Sequence, residues 1–184
     1  MAALELNEKQ NNTKSEFVCI EPFPSHKLKT MQKIKLVQQE VQATPIDMLT
    51  DLNEHDLLFI DSSHTVKPGA DVNYLFLEIL PRLQKGVIVH FHDIMLPYDY
   101  PRDVLQTYFQ GSETSLLRAF LINNKKVRII FCLSQLHYDR RDNLKEIFPE
   151  YDPQSDQNGL IDGIYKPFEA IPQHFPSSIY IQLV

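Results

Sequence analysis

Three short strings in this chain carry residue types that do chemistry: Glu21 in FVCIEP, Asp61 and His64 in IDSSH, and His90, His92 and Asp93 in HFHDI. Each string follows or ends an apolar run, and in open α/β sheets ligands bind just beyond the carboxyl ends of such strands. A carboxylate at Glu21 can accept from both hydroxyls of a ribose; its plainer reading is a solvated strand-end acid. Asp61 offers a hard oxygen that anchors a cation, and His64, three residues on in a turn, offers a base that titrates near neutrality. Their plainer reading is a turn cap and a surface imidazole. Strand alternation sends His90 and His92 to one face while Asp93 starts the loop. His90, deeper in the strand, is expected to pack against a covering helix. Asp61 and Asp93 then project from the ends of adjacent parallel strands, a separation one divalent cation could bridge. Beyond them MLPYDYPRD, with Tyr98 and Tyr100, is long enough to fold over the mouth as a substrate lid. Those tyrosines serve equally to anchor the loop.

The elements that must hold these residues are legible from periodicity. FVCIEP over 17–22 is a short β-rich run, and KLVQQEV over 35–41 a weaker strand, with a brief helix near 26–31 between them. DLLFID over 56–61 is nearly continuously apolar, as a central strand covered on both faces should be, and GVIVHFH over 86–92 repeats the pattern. Between them Val72, Leu75, Phe76, Ile79, Leu80 and Leu83 keep helical spacing, with Asp71 charging the first turn and Pro81 and Gly86 punctuating the end. Strand, helix, strand with short connections is a βαβ unit, which builds a parallel sheet with helices on its faces. A helix is expected over 115–123, another buried strand over 127–133 and a terminal strand over 178–184, while 138–176 is polar and turn-rich and is expected as an irregular excursion.

Composition narrows the function classes. At 184 residues and 43% hydrophobic content the chain can bury one substantial core, so a single domain over 1–184 is expected. Eighteen Lys and Arg against 24 Asp and Glu give a net charge of −6, which leaves no field to attract a nucleic-acid backbone. Cys19 and Cys132 lie inside apolar runs, where a free thiol behaves as a small hydrophobe rather than half of a secreted disulfide framework. No apolar stretch approaches the roughly 18–20 residues of a membrane span, and the first residues lack the features of a signal peptide. The expected address is the cytoplasm, with no membrane or nucleic-acid partner; a homo-oligomer stays open.

The string FVCIEPFPS, then FIDSSHTVKPGADVNYLFLEILPRLQKGVIVHFHDIMLPYDYP, resembles the class I S-adenosylmethionine-dependent methyltransferases of the small-molecule O-methyltransferase-like branch. The IDSSH to HDI stretch is its specific part, and the likeness covers about residues 1–135 and the final SSIYIQLV. The resemblance implies an α/β, Rossmann-like, doubly wound and mostly parallel sheet with a reversed last strand. It implies Glu21 on the ribose of S-adenosylmethionine, Asp61 near its methionine end, Asp61 with Asp93 as candidate ligands of a divalent cation such as Mg, and His64 as candidate base. The glycine-rich loop that stands about 20 residues before the ribose-binding acid has no counterpart ahead of Glu21, so an N-terminally incomplete domain is expected. The implied reaction is methyl transfer to an oxygen of a small-molecule acceptor, with a cation at Asp61 and Asp93 lowering the acceptor's pKa. Two rivals stand beside it: a noncatalytic binding or assembly module that keeps the sheet, and a metal-dependent hydrolase or oxygenase using His90, His92 and Asp93.

Overall fold

Residues 2–99, 111–153 and 175–184 are described by the computed structural model, and their contacts divide the chain into two units, Met1–Pro45 and Ile46–Val184. In the first unit α1 (Ala2–Asn11) precedes β1 (Val18–Ile20), α2 (His26–Thr30) and β2 (Lys35–Val37). The two strands pair in parallel, Val18 beside Lys35 and Ile20 beside Val37. Ser25 starts α2 by accepting the Leu28 N–H at 3.2 Å, the usual service of a serine N-cap. β2 is shorter than its β-rich run because Gln39 N–H turns back to the Val37 carbonyl at 3.1 Å.

The second unit runs α3 (Asp47–Thr50), β3 (Leu57–Ile60), α4 (Asp71–Tyr74), β4 (Ile88–His92), α5 (Glu113–Leu121), β5 (Val127–Cys132), α6 (Leu133–Asp139), α7 (Arg141–Ile147) and β6 (Ser178–Leu183). Its sheet has the order β3-β4-β6-β5, with β3 and β4 parallel and β6 antiparallel to both of its neighbours. The architecture is mixed α/β. Among the described residues the strands form two sheets rather than one continuous sheet. No helix among them is long and apolar enough to cross a membrane.

The stripe read from helical spacing is the core. Val72, Leu75, Phe76, Ile79, Leu80 and Leu83 are all buried, as are Val89 and Phe91 of β4 and Ile179 and Ile181 of β6. The Phe76 ring lies 5.3 Å from Phe91 and 6.1 Å from Phe120. The segment itself changes pitch: α4 widens over Leu75–Ile79, where Leu80 N–H reaches the Leu75 carbonyl, then tightens over Leu80–Arg82. Pro81 has no N–H to donate and its ring crowds the carbonyl four residues back, so a regular ladder cannot continue through it.

Three sequence expectations are corrected here. β3 and β5 are the edges of the four-stranded sheet, and an edge strand has one neighbour where a central strand has two. Leu57 and Phe59 of β3, and Ile129, Ile130 and Phe131 of β5, are accordingly exposed. The excursion expected over 138–176 is helical in its first part, through the end of α6 and α7: α7 is rich in good helix formers, and buried Leu144 and Tyr151 anchor its surroundings. For His90 the ring partners among the described residues lie on strands, in place of the expected covering helix. Its ring stands 4.8 Å from Phe59 and stacks 4.0 Å from Tyr180, which in turn lies 4.4 Å from Phe131, a ring row across all four strands.

One turn tolerates little change. Gly86 has φ +89, and a Cβ there would fall 2.3 Å from Glu54 Cγ. Its carbonyl also receives His55 N–H at 3.0 Å and Gln182 Nε2 at 3.1 Å. Gly86→Ala is expected to cost about 1–3 kcal/mol from the left-handed backbone alone, read as a lower urea midpoint.

Candidate functional site

The site grows from the carboxyl ends of β3 and β4, which lie side by side in parallel. Asp61 follows β3, and Asp93 follows β4 with φ +53. That backbone reversal breaks the strand's alternation. His92 and Asp93, which a regular strand would send to opposite faces, therefore approach to 3.3 Å between His92 Nδ1 and Asp93 Oδ1. His92 Nδ1 also lies 3.6 Å from Asp61 Oδ1. Ser177, just ahead of β6, donates its hydroxyl to Asp93 Oδ1 at 2.8 Å.

His64 occupies the centre of this group and is buried, with φ +57. Its Nε2 stands 3.6 Å from Asp61 Oδ1 and 3.7 Å from Asp93 Oδ2, while Nδ1 lies 2.8 Å from Glu113 Oε2. A left-handed histidine needs support from its surroundings, and the turn has it. His64 N–H donates to Ser62 Oγ at 3.0 Å, and the His64 carbonyl accepts Ser112 N–H at 2.9 Å. Val66 N–H donates to Ser112 Oγ at 3.1 Å. The preceding residue, Ser63, donates its N–H to Asp71 at 2.7 Å, so the acid at the start of α4 also braces the turn.

Glu113 is 1% exposed, and Ser62 Oγ donates to the same Oε2 at 2.8 Å. A buried carboxylate without such partners would be costly, and the start of α5 adds favourable helix-terminus potential. Nothing in the sequence singled Glu113 out. An acid ahead of an apolar stripe reads as ordinary helix-start charge, and its partner is 49 residues away. Because α5 begins two residues before the stripe suggests, Glu113 and Thr114 fall in an inward-facing first turn.

The other predicted positions are distributed as follows. Glu21 belongs to the first unit, where Oε1 accepts Phe23 N–H at 2.8 Å. Tyr98 sets its ring edge-on to Tyr138 at 4.9 Å, and the loop before it is held by Arg118 Nη2 on the Pro97 carbonyl at 2.6 Å. Tyr100 lies outside the described residues. The cation expected at Asp61 and Asp93 finds no support: among the described residues no group of three or more His, Cys, Asp and Glu is arranged to hold a metal. The facial set of His90, His92 and Asp93 fails on the same ground, with His90 committed to the ring row. The group that Asp61 and Asp93 face among the described residues is the His64 imidazole.

Electrostatics follow from that geometry. The Glu113 hydrogen bond raises the His64 pKa, opposed by burial and reinforced by the charges of Glu113, Asp93 and Asp61. Burial and neighbouring His92 push His90 down to about 4, so it stays neutral. For His64 the folded value lies above the unfolded one, near 6.5. Its contribution to stability is full below that pH and is lost as pH rises through the folded value. Denaturant unfolding should therefore give a lower stability at about pH 9 than at about pH 6, and the difference should shrink in His64→Gln.

Comparison with known proteins gives one finding at the family level. A family model described as a methyltransferase domain matches residues 1–94, a span that includes both Asp61 and His64 and ends one residue past Asp93. No curated protein and no solved structure matches the chain significantly.

Proposed function

Since this chain belongs to the methyltransferase domain family, we propose that it transfers the methyl group of S-adenosylmethionine to an oxygen of a small-molecule acceptor, with His64 as the general base. The observation that carries the reading is the direction of the His64 ring: Nδ1 meets buried Glu113, and Nε2 faces Asp61 and Asp93 at the mouth of two parallel strands. When bound, S-adenosylmethionine supplies an electrophilic methyl group on a positively charged sulfur.

The chain's residues fit such a group by their donor chemistry. Asp61 and Asp93 are partly exposed carboxylates that favour a cationic centre beside them. Glu21, in the first unit, uses one lone pair on Phe23 N–H and has others with which to accept further hydrogen bonds. His64 Nε2, in its neutral form, takes the acceptor's O–H proton, and holding acceptor and methyl group in near-attack geometry removes much of the entropic barrier. In this reading His64 itself removes the acceptor's proton, and no step needs a divalent cation. A chelator added to metal-free buffer is expected to leave methyl transfer unchanged, as read by release of S-adenosylhomocysteine; a loss restored by Mg would return the metal to the mechanism.

The experiment that tests the function is calorimetric titration with S-adenosylmethionine and S-adenosylhomocysteine, followed by methyl transfer to a panel of phenols and sugars. Saturable binding of both, lost or weakened at least tenfold in Asp61→Ala, supports the enzyme. Failure of the folded chain to bind either would leave the noncatalytic module as the better account.

A further inference from the structure

We propose that Glu113 is the positioning residue of His64, fixing the proton on Nδ1 so that the Nε2 lone pair is presented to the crevice of Asp61 and Asp93. The catalytic consequence rests on the reading of His64 as base; the positioning itself rests on geometry. A neutral imidazole in water distributes its proton between two nitrogens, and the bond made by one nitrogen decides the role of the other. Here Glu113 Oε2 sits 2.8 Å from Nδ1 and is itself held by Ser62 Oγ at 2.8 Å. An ionised carboxylate can only accept, so Nδ1 must be the donor.

The backbone makes the arrangement a built one. Ser62 supplies both the hydroxyl that steadies Glu113 and the acceptor for His64 N–H at 3.0 Å. Ser112, next to Glu113, closes the loop by donating its N–H to the His64 carbonyl at 2.9 Å and accepting Val66 N–H at 3.1 Å. The turn after β3 and the start of α5 thus exchange bonds at both backbone and side-chain level, and together they set the His64 ring. Among the described residues the acids facing the ring are Asp61 from the end of β3, Asp93 from the end of β4 and Glu113 from α5. Of these three acids Glu113 is the one at hydrogen-bond distance, which is why it and not the aspartates sets the tautomer.

The test is nitrogen and proton NMR of the histidine side chains in the full chain labelled with 15N-histidine, with His64 assigned by its loss in His64→Gln. Spectra are read at a pH above the His64 titration. Wild type is expected to show Nδ1 protonated, with a far-downfield N–H proton from a carboxylate partner. In Glu113→Gln, whose amide oxygen still accepts, the tautomer is retained and that proton moves upfield. In Glu113→Ala the resonance is lost and the proton shifts to Nε2. Should the Ala variant not fold, the upfield shift in the Gln variant decides alone. A His64 resonance unchanged in Glu113→Gln, or a wild-type ring protonated on Nε2, overturns the assignment. Methyl transfer measured alongside separates the two readings: a tautomer that follows Glu113 in a chain that never transfers methyl groups upholds the positioning and refutes the methyltransferase role of His64. In an active chain Glu113→Ala is expected to lower kcat at least tenfold while the affinity for S-adenosylmethionine is kept.

Discussion

Methyl transfer by His64→Gln is expected to fall by about 10²–10⁴-fold, the usual contribution of a positioned general base, with little change in affinity for S-adenosylmethionine. The glutamine is the informative substitution because its amide can still donate to Glu113 and keep the pocket filled. His64→Ala loses activity and stability together. It strips the imidazole from a carboxylate that is 1% exposed and leaves it with Ser62 alone, and removing one member of a buried pair costs about 3–5 kcal/mol. Thermal melts beside initial rates separate the two losses. An unimpaired rate in a folded Gln variant would put the base elsewhere.

Phe91→Ala is expected to be the most damaging single change to the fold, at about 3–5 kcal/mol for a fully buried phenylalanine. Phe91 is wholly inaccessible, its ring lies 5.3 Å from Phe76, and its strand is flanked on both sides, pairing Phe91 with Ile60 and with Ile179. It is also two residues from Asp93. A cavity there loosens the strand end on which the site is built, so cofactor affinity should fall with stability. Urea unfolding reads the first effect and calorimetry the second; a loss below about 1 kcal/mol would show that the neighbours collapse into the gap.

The positions that carry the site were visible because chemistry and periodicity coincide in them. Asp61 and Asp93 stand where apolar runs stop, and the parallel pairing of those runs follows from the strand-helix-strand pattern between them. His64, three residues beyond, comes with the turn. Less visible was the interruption at Pro81. The stripe stays buried throughout while the hydrogen bonding changes under it, since side-chain burial constrains which residues face inward far more strongly than it constrains pitch.

What the amino-acid sequence determined by itself was local: the strand runs, the apolar stripe of the helix between them, the acids at the strand ends and the class of chemistry they allow. Those follow from the 2.0 and 3.6 residue periods of the backbone and from side-chain type, which neighbours in the chain suffice to set. Tertiary structure alone decided that β3 and β5 are sheet edges, that His90 joins a ring row, and that Glu113 reaches His64 across 49 residues. Contacts of that separation depend on how packed elements meet in space, and a buried carboxylate reveals its partner only when the surrounding water has been displaced.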